Sequence, residues 1–417
     1  MRGRYPLSCP TCSTTLTAPR VSNRARAISL PAEDLFMSQQ DYELVATQFS
    51  YYSAKVRACL QYKRLPYVEL PSNFDTMFNR VLAATGEAKF PVVFCPDGEV
   101  LKDSCDIVEA LERRHPERPV VPEDGVLHLA AVLLETLSDE FFAAPFIYYR
   151  WVPEDTRQWA LDFFRLMLTR GIDDPEEKAK AGEISQMVAG GIQDRVRKIG
   201  QDRVEMQEES QRLTEMICAA VDRHLAMVDF VLGDRPSLAD LALMNGFFGH
   251  LYMDPCDASQ FIRRHCTHLS LWMMRMHAAA GESDRGELFE SDSLRELLTA
   301  VARPFESVAN GMLNAVDAAL VDYEDGAELP PSLGRIDVTL NETSMSVAAS
   351  PYGAWKLQRL RDVYHGLAEG ERKRAGTLLA DTGFLPVCHK PLAWRLEKTG
   401  LGMRVVKSGA RAAAGEG

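Results

Sequence analysis

The chain has no apolar run long enough to cross a bilayer. Its richest stretch, Leu127 to Leu137, is interrupted by His128 and Glu135. It falls short of the roughly 18 to 20 residues that a spanning helix needs, so no membrane partner is expected. Positive charge is also in deficit: Lys and Arg total 47 against 59 Asp and Glu, a formal net charge of −12. Nucleic-acid binders normally carry a basic stripe, and none is expected among the partners. The nine cysteines, at positions 9, 12, 59, 95, 105, 218, 256, 266 and 388, are odd in number and scattered. That is not the dense, even set of a secreted disulfide framework, and a reducing cytoplasm is the expected compartment. The motifs GxSxG, HExxH, GxGxxG and the P-loop are all missing. What is present is ample apolar material, 46% of 417 residues. This excludes wholesale disorder and is enough for two to three domains.

Residues 1 to 36 differ from the rest, with five arginines, two acids and many Ser and Thr. A transit peptide has this composition, but there is no apolar core of a secretory signal. A disordered leader, or a working start at Met37, is the plainer reading, and residues 1–40 are taken as a flexible leader. Cys9-Pro10-Thr11-Cys12 is a lone CxxC without a second pair or a preceding strand pattern, too little for a zinc or redox site.

From Tyr42 the pattern reads β-α-β: a strand at Tyr42 to Ala46, helical spacing from Ser53 to Arg64, and a strand at Tyr67 to Leu70. Parallel strands need such a crossover helix. Phe74, Met77, Phe78, Val81 and Leu82 predict a further helix over 74–84. Two apolar runs around Pro96-Asp97-Gly98 predict a hairpin, and Asp103 or Ser104 can cap a helix reaching Leu111. A Pro-rich connector, His115 to Pro122, leads into helix-type periodicity up to about Leu320. The segment Ile184 to Arg212 is polar for its length and is expected to protrude or cover a neighbour. Ser237 to Asp240 is a capping-box variant before an apolar run. Beyond 323, strand-like alternation at Ile336 to Leu340 and helices at Pro351 to Leu367 and Gly370 to Leu379 precede a basic tail, expected to fray from Leu401. Lys55 and Arg57 read as solvated helix charges and Cys105 as core. His265, Cys266 and His268 fit no zinc spacing, and no metal is expected.

Four short motifs, in order, carry a resemblance. Phe49-Ser50-Tyr51-Tyr52-Ser53-Ala54-Lys55-Val56-Arg57, after the first strand, resembles the entry of the glutathione transferase fold. Phe90-Pro91-Val92-Val93 resembles that family's cis-proline strand. Lys102-Asp103-Ser104 resembles its acidic-Ser pair, and Arg235 to Asp240 resembles the cap of the buried helix in its second domain. The resemblance spans about residues 42 to 280. It implies an α+β fold class: a thioredoxin-like domain over 41–121, an all-helical domain over 122–322, and a mostly helical C-terminal extension over 323–417.

The resemblance also implies a function, the activation of the glutathione thiolate for attack on an electrophilic small molecule. Glutathione would be co-substrate, and a homodimer is expected. Ser50 is the implied sulfur donor, with Tyr51 and Tyr52 as alternatives, since a phenol donates in the same way. A helix N-terminus favours a nearby thiolate, and the thiolate is the nucleophile. The plainer role for Ser50 or Ser53 is to cap the helix. Ser53, Phe90, Pro91, Asp103 and Ser104 complete the implied glutathione-binding set: backbone of Phe90 for the cysteinyl unit, Asp103 and Ser104 for the glutamyl end. The aromatic residues Phe141, Phe142, Phe146, Tyr148, Tyr149 and Trp151 serve as core or line the co-substrate cleft. A non-catalytic binding or assembly module is the competing reading, which the extension favours, because Ile336 to Leu396 can pack over the cleft.

Overall fold

A computed structural model describes residues 41–400 and 402–407. The leader and Cys9-Pro10-Thr11-Cys12 lie outside the described residues. Strand β1 (Tyr42–Val45) pairs in parallel with β2 (Tyr67–Leu70), Tyr42 opposite Tyr67, and the crossover between them is helix α1 (Ser53–Tyr62). A π-helical segment, Asp75–Val81, runs into α2 (Leu82–Thr85) and stops at Gly86, whose φ of 78° suits a residue without Cβ. Strands β3 (Val92–Phe94) and β4 (Val100–Lys102) form the expected hairpin, and the sheet order is β2-β1-β3-β4. Helix α3 (Ser104–Arg114) closes the thioredoxin-like unit, its first turn capped by the Asp103 carboxylate, which accepts the Cys105 N–H at 2.9 Å.

The helical layer begins with α4 (Gly125–Thr136), a π turn at Leu137–Phe141 and α5 (Ala143–Trp151). The π turn interrupts the helix-type periodicity read over this stretch. Helices α6 (Glu154–Thr169) and α7 (Pro175–Lys198) make an antiparallel hairpin. The hairpin packs on the thioredoxin-like unit: Met167, Leu168 and Ile184 pack with Val45, Met77, Val81 and Phe90. The layer continues through α8 (Val204–Leu225), α9 (Leu238–Gly246) with a π turn at Phe247–Tyr252, α10 (Asp257–His265), α11 (Thr267–His277), α12 (Asp292–Ala302) and α13 (Glu306–Ala319). No described helix is long and apolar enough to cross a membrane.

The extension is less helical than its sequence suggested. It holds β5 (Glu328–Leu329), β6 (Arg335–Leu340), β7 (Thr343–Ala348), α14 (Pro351–Gly366), α15 (Glu369–Thr382), α16 (Leu385–His389), β8 (Trp394–Lys398) and β9 (Met403–Lys407). The expectation of fraying from Leu401 is corrected over 403–407. There Met403 and Val405 turn inward at period two and β9 pairs with both β8 and β5. Arg404 and Lys407, which gave the tail its basic character, occupy the partly exposed positions. One apolar core links the layers: Leu60, Leu133, Leu243, Leu357 and Leu379 all belong to it.

Asp240 shows how polar groups are met inside this core. Its carboxylate is fully buried and accepts the N–H of Val231 and of Ser237 at 2.9 Å, the Ser237 hydroxyl at 2.7 Å and the Trp272 indole N–H at 2.9 Å. Burial raises its pKa despite these bonds. Asp240→Ala orphans buried donors at a cost of about 1–3 kcal/mol each. We expect a loss of about 3 kcal/mol or more, read as a lower urea midpoint; an unchanged midpoint would contradict this account of the cap.

Candidate functional site

The loop between β1 and α1 is held from three directions. The Arg150 guanidinium, buried on α5, donates to the Phe49 carbonyl at 2.8 Å and to the Gly249 carbonyl at 2.6 Å, lies 3.8 Å over the Phe49 ring, and pairs with buried Asp254 at 2.6 Å. Gly249 leaves room for the Ser50 carbonyl, which a Cβ at 249 would strike, and Gly246 does the same for the Tyr51 hydroxyl. The Tyr51 hydroxyl donates to the Ser138 carbonyl at 2.7 Å, and the Tyr52 hydroxyl donates to the Asp139 carbonyl at 3.2 Å. Burial raises the pKa of both phenols, with neighbouring negative charge adding to it. Both rings therefore brace the loop against the π turn at 137–141.

Ser50 is different. Its Oγ accepts the Tyr52 N–H at 3.2 Å, and its own proton has no acceptor among the described residues. It sits immediately before α1, 7% exposed. The Ser53 hydroxyl, in the first turn of α1, is fully buried and unpartnered. Neither serine occupies the N-cap position of the helix, which is Tyr52, and the Tyr52 side chain makes no cap bond.

The Phe90–Pro91 peptide bond is cis. Pro91 is buried and leads directly into β3; Phe90 is half-buried against the α6–α7 hairpin. Asp103 has a φ of 68°, a conformation that costs a non-glycine residue about 1–3 kcal/mol and recurs where the backbone is held for a ligand. Lys102, by contrast, donates to the Thr85 carbonyl at 3.2 Å and faces Glu87.

The reading of Lys55 and Arg57 as solvated charges is corrected. Lys55 is fully buried, its ammonium 2.6 Å from Glu135 and 3.1 Å from Asp139. Arg57 is buried to 3% and pairs with Glu69 at 2.7 Å. Lys356, from α14, is equally buried and lies 2.6 Å from Asp139 and 3.5 Å from Glu135; Arg359 pairs with Glu135 and Glu109. Cys105 is core, as expected, but its Sγ lies 2.7 Å from Lys356 Nζ and 3.2 Å from Lys55 Nζ.

Burial opposes ionisation of the carboxyls, but Lys356 and Lys55 outweigh it and hold Glu135 and Asp139 below the usual range. Burial and Glu135 push the Cys105 thiol up to about 12. Cys105, Glu135 and Asp139 converge closely enough for a metal ion. Two ammonium groups already stand between them, however, and a cation would have to displace both.

The sequence signal for this cluster was two acids four residues apart, Glu135 and Asp139, in an otherwise apolar helix. The aromatic cluster belongs to the core: Phe141 and Phe142 pack on Phe305, and Phe146 on Phe247.

A four-stranded β2-β1-β3-β4 sheet with a cis proline entering β3 makes a thioredoxin-like unit, followed by a helical layer. Residues 44–119 match the family model described as glutathione S-transferase, N-terminal domain.

Among solved structures, a beta-etherase, LigF, from Sphingobium sp. strain SYK-6 matches at 18% identity. The match covers 61% of this chain and 98% of that one, with a TM-score of 0.39. The glutathione transferase GSTFuA3 from Phanerochaete chrysosporium matches at 16% identity, covering 58% and 98%, with a TM-score of 0.41. FzlA from C. crescentus matches at 18%, covering 62% and 99%, with a TM-score of 0.37. Likenesses at this level assign no activity to the chain. No curated protein matches it.

Two outcomes follow from the charged cluster. Lys356→Met leaves Asp139 and Glu135 short of a cation, and breaking a buried pair costs about 3–5 kcal/mol; chemical denaturation should show that loss. Glu140, on the π turn, is pushed up to about 8 by burial, with Asp139 and Asp103 adding to it against the pull of Lys356. Its unfolded value is about 4.3, so the folded state keeps a proton that the unfolded state releases between these values. Stability from this group is complete at low pH and is lost as pH rises through about 8. Glu140→Gln should therefore gain on the native protein as pH rises from about 5 to about 8 and then level off, which melting temperatures across that range will read. A pH-independent difference would mean that Glu140 is ionised in the folded state.

Proposed function

We propose that the chain is a glutathione transferase-like enzyme that activates the glutathione thiolate for attack on an electrophilic small molecule. The observation that carries the reading is the state of Ser50: a hydroxyl fixed at the entry of α1, accepting one N–H and keeping its own proton free to donate. Donation to sulfur, together with the dipole of α1, stabilises a thiolate. Tyr51 and Tyr52 are committed to backbone carbonyls and act as braces. Phe90, beside the cis bond to Pro91, offers backbone to the cysteinyl unit. The α3 N-terminus, with Ser104, suits a carboxylate, and Asp103 suits an ammonium. Ser53 supplies a buried, unpartnered hydroxyl behind Ser50.

A groove of about 550 Å³ beside the same loop, walled by Thr47, Gln48, Phe163, Leu166, Met167 and Arg170, is of a size that accepts a small molecule. It suits the second substrate. The reading takes a second copy of the chain as partner, in the cytoplasm.

The rival, a non-catalytic module of the same fold, is favoured by one observation: the Asp103 carboxylate already accepts the hydroxyl of Tyr352, from α14 of the extension, at 2.7 Å. The two separate on retention by immobilised glutathione and on turnover of a chloronitroaromatic substrate. The enzyme reading expects both, and expects Ser50→Ala to cut kcat by about 10²-fold or more, the scale of losing a donor to a developing anion. Absence of binding at millimolar glutathione would sink it. Unchanged turnover in Ser50→Ala, with loss in Tyr52→Phe, would move the donor role.

A further inference from the structure

The ammonium of Lys398, at the end of β8, lies 3.0 Å from Asp103 Oδ2 and 2.8 Å from Asp106 Oδ1. It also lies 3.9 Å over the Trp355 ring and 5.3 Å from the Tyr352 ring. Two carboxylates and two aromatic faces around one ammonium make a cage for an amino group. Here the amino group belongs to the chain itself. Both oxygens of Asp103 are engaged: Oδ2 also accepts the Tyr352 hydroxyl at 2.7 Å, and Oδ1 accepts the Cys105 N–H. Burial opposes ionisation of Asp103, but Lys398 and Tyr352 outweigh it and hold the carboxyl below its usual range. The carboxylate is thus charged and satisfied without any ligand.

We propose that Lys398, seated by Tyr352 and Trp355, is an internal competitor for the amino group of the ligand's glutamyl end. The extension thereby sets both the affinity of the site and its selectivity between amino and des-amino ligands. This rests on the glutathione reading above. A tripeptide that binds through Asp103 must displace Lys398, exchanging one ammonium for another at little net gain. A ligand without the amino group binds with Lys398 left in place. The native protein therefore discriminates poorly between glutathione and its des-amino analogue, glutaryl-cysteinyl-glycine. With Lys398 removed, Asp103 keeps its bonds to Tyr352 and Cys105 but lacks a cation, which glutathione supplies and the des-amino ligand does not.

The experiment is calorimetric titration of both ligands into the full chain, into Lys398→Met and into Tyr352→Phe, with a thermal melt confirming that each variant is folded. Lys398→Met should bind glutathione about 10- to 100-fold tighter, the worth of one charge-assisted hydrogen bond. The ratio of glutathione to des-amino affinity should rise from near one to about tenfold or more. Tyr352→Phe keeps the ring and the packing, removes one donor from Asp103, and should shift the ratio the same way by a smaller factor. Equal glutathione affinity and an equal ratio in native and variant proteins would overturn the proposal while leaving glutathione binding intact. Binding of glutathione to none of the three at millimolar concentration would overturn the glutathione reading itself, and the competitor with it.

Discussion

The structure depends on one buried exchange of charge. Glu135 and Asp139 enter the core one helical turn apart, and neither could stay ionised there alone, since an unpaired buried carboxylate costs several kcal/mol. Lys55 meets them from the thioredoxin-like unit and Lys356 meets them from the extension. The three segments are therefore held in one relative arrangement by groups that stay charged in the core only where these partners meet. The apolar core supplies the bulk of the stability, but it is non-directional. The ion cluster is what requires α14 to sit where it does.

The candidate site inherits that constraint. The β1–α1 loop is pressed onto the π turns at 137–141 and 247–252 by Tyr51, Tyr52 and the Arg150–Asp254 pair, so Ser50 is held by the helical layer as much as by its own strand. Asp103 is held in a left-handed conformation at the head of α3, and its carboxylate faces residues more than 240 positions away. Loop, cis peptide and helix N-terminus come from one unit. What faces them comes from two others.

How much of this was legible in the sequence follows the range of each signal. Local patterns gave the β-α-β unit, the hairpin at Pro96-Asp97-Gly98 and the cap at Asp240, because each depends on a few neighbouring residues; the cis bond at Pro91 was expected only through the family resemblance. The same logic misread Lys55. A lysine in a helix is normally solvated, and only Glu135 and Asp139, some 80 residues on, make its burial possible. The pairing of β9 was hidden for a similar reason: three apolar residues among basic ones look like a tail until β8 and β5 lie beside them. Tyr352 and Lys398 carried no signal of their own, since their role is fixed by Asp103 and Asp106, which lie far off in sequence.

The extension reaches the site at two places that α14 ties together. α14 enters the buried ion cluster through Lys356 and Arg359. Lys398 is the last residue of β8, an edge strand in the order β5-β9-β8. An edge strand leaves one row of backbone groups without a partner strand, and here Gln358 of α14 stands in for one: its side chain accepts the Leu396 N–H at 2.8 Å and donates to the Leu396 carbonyl at 3.0 Å. The helix that completes the ion cluster thus also carries the strand whose end reaches Asp103, and the two contacts share one support.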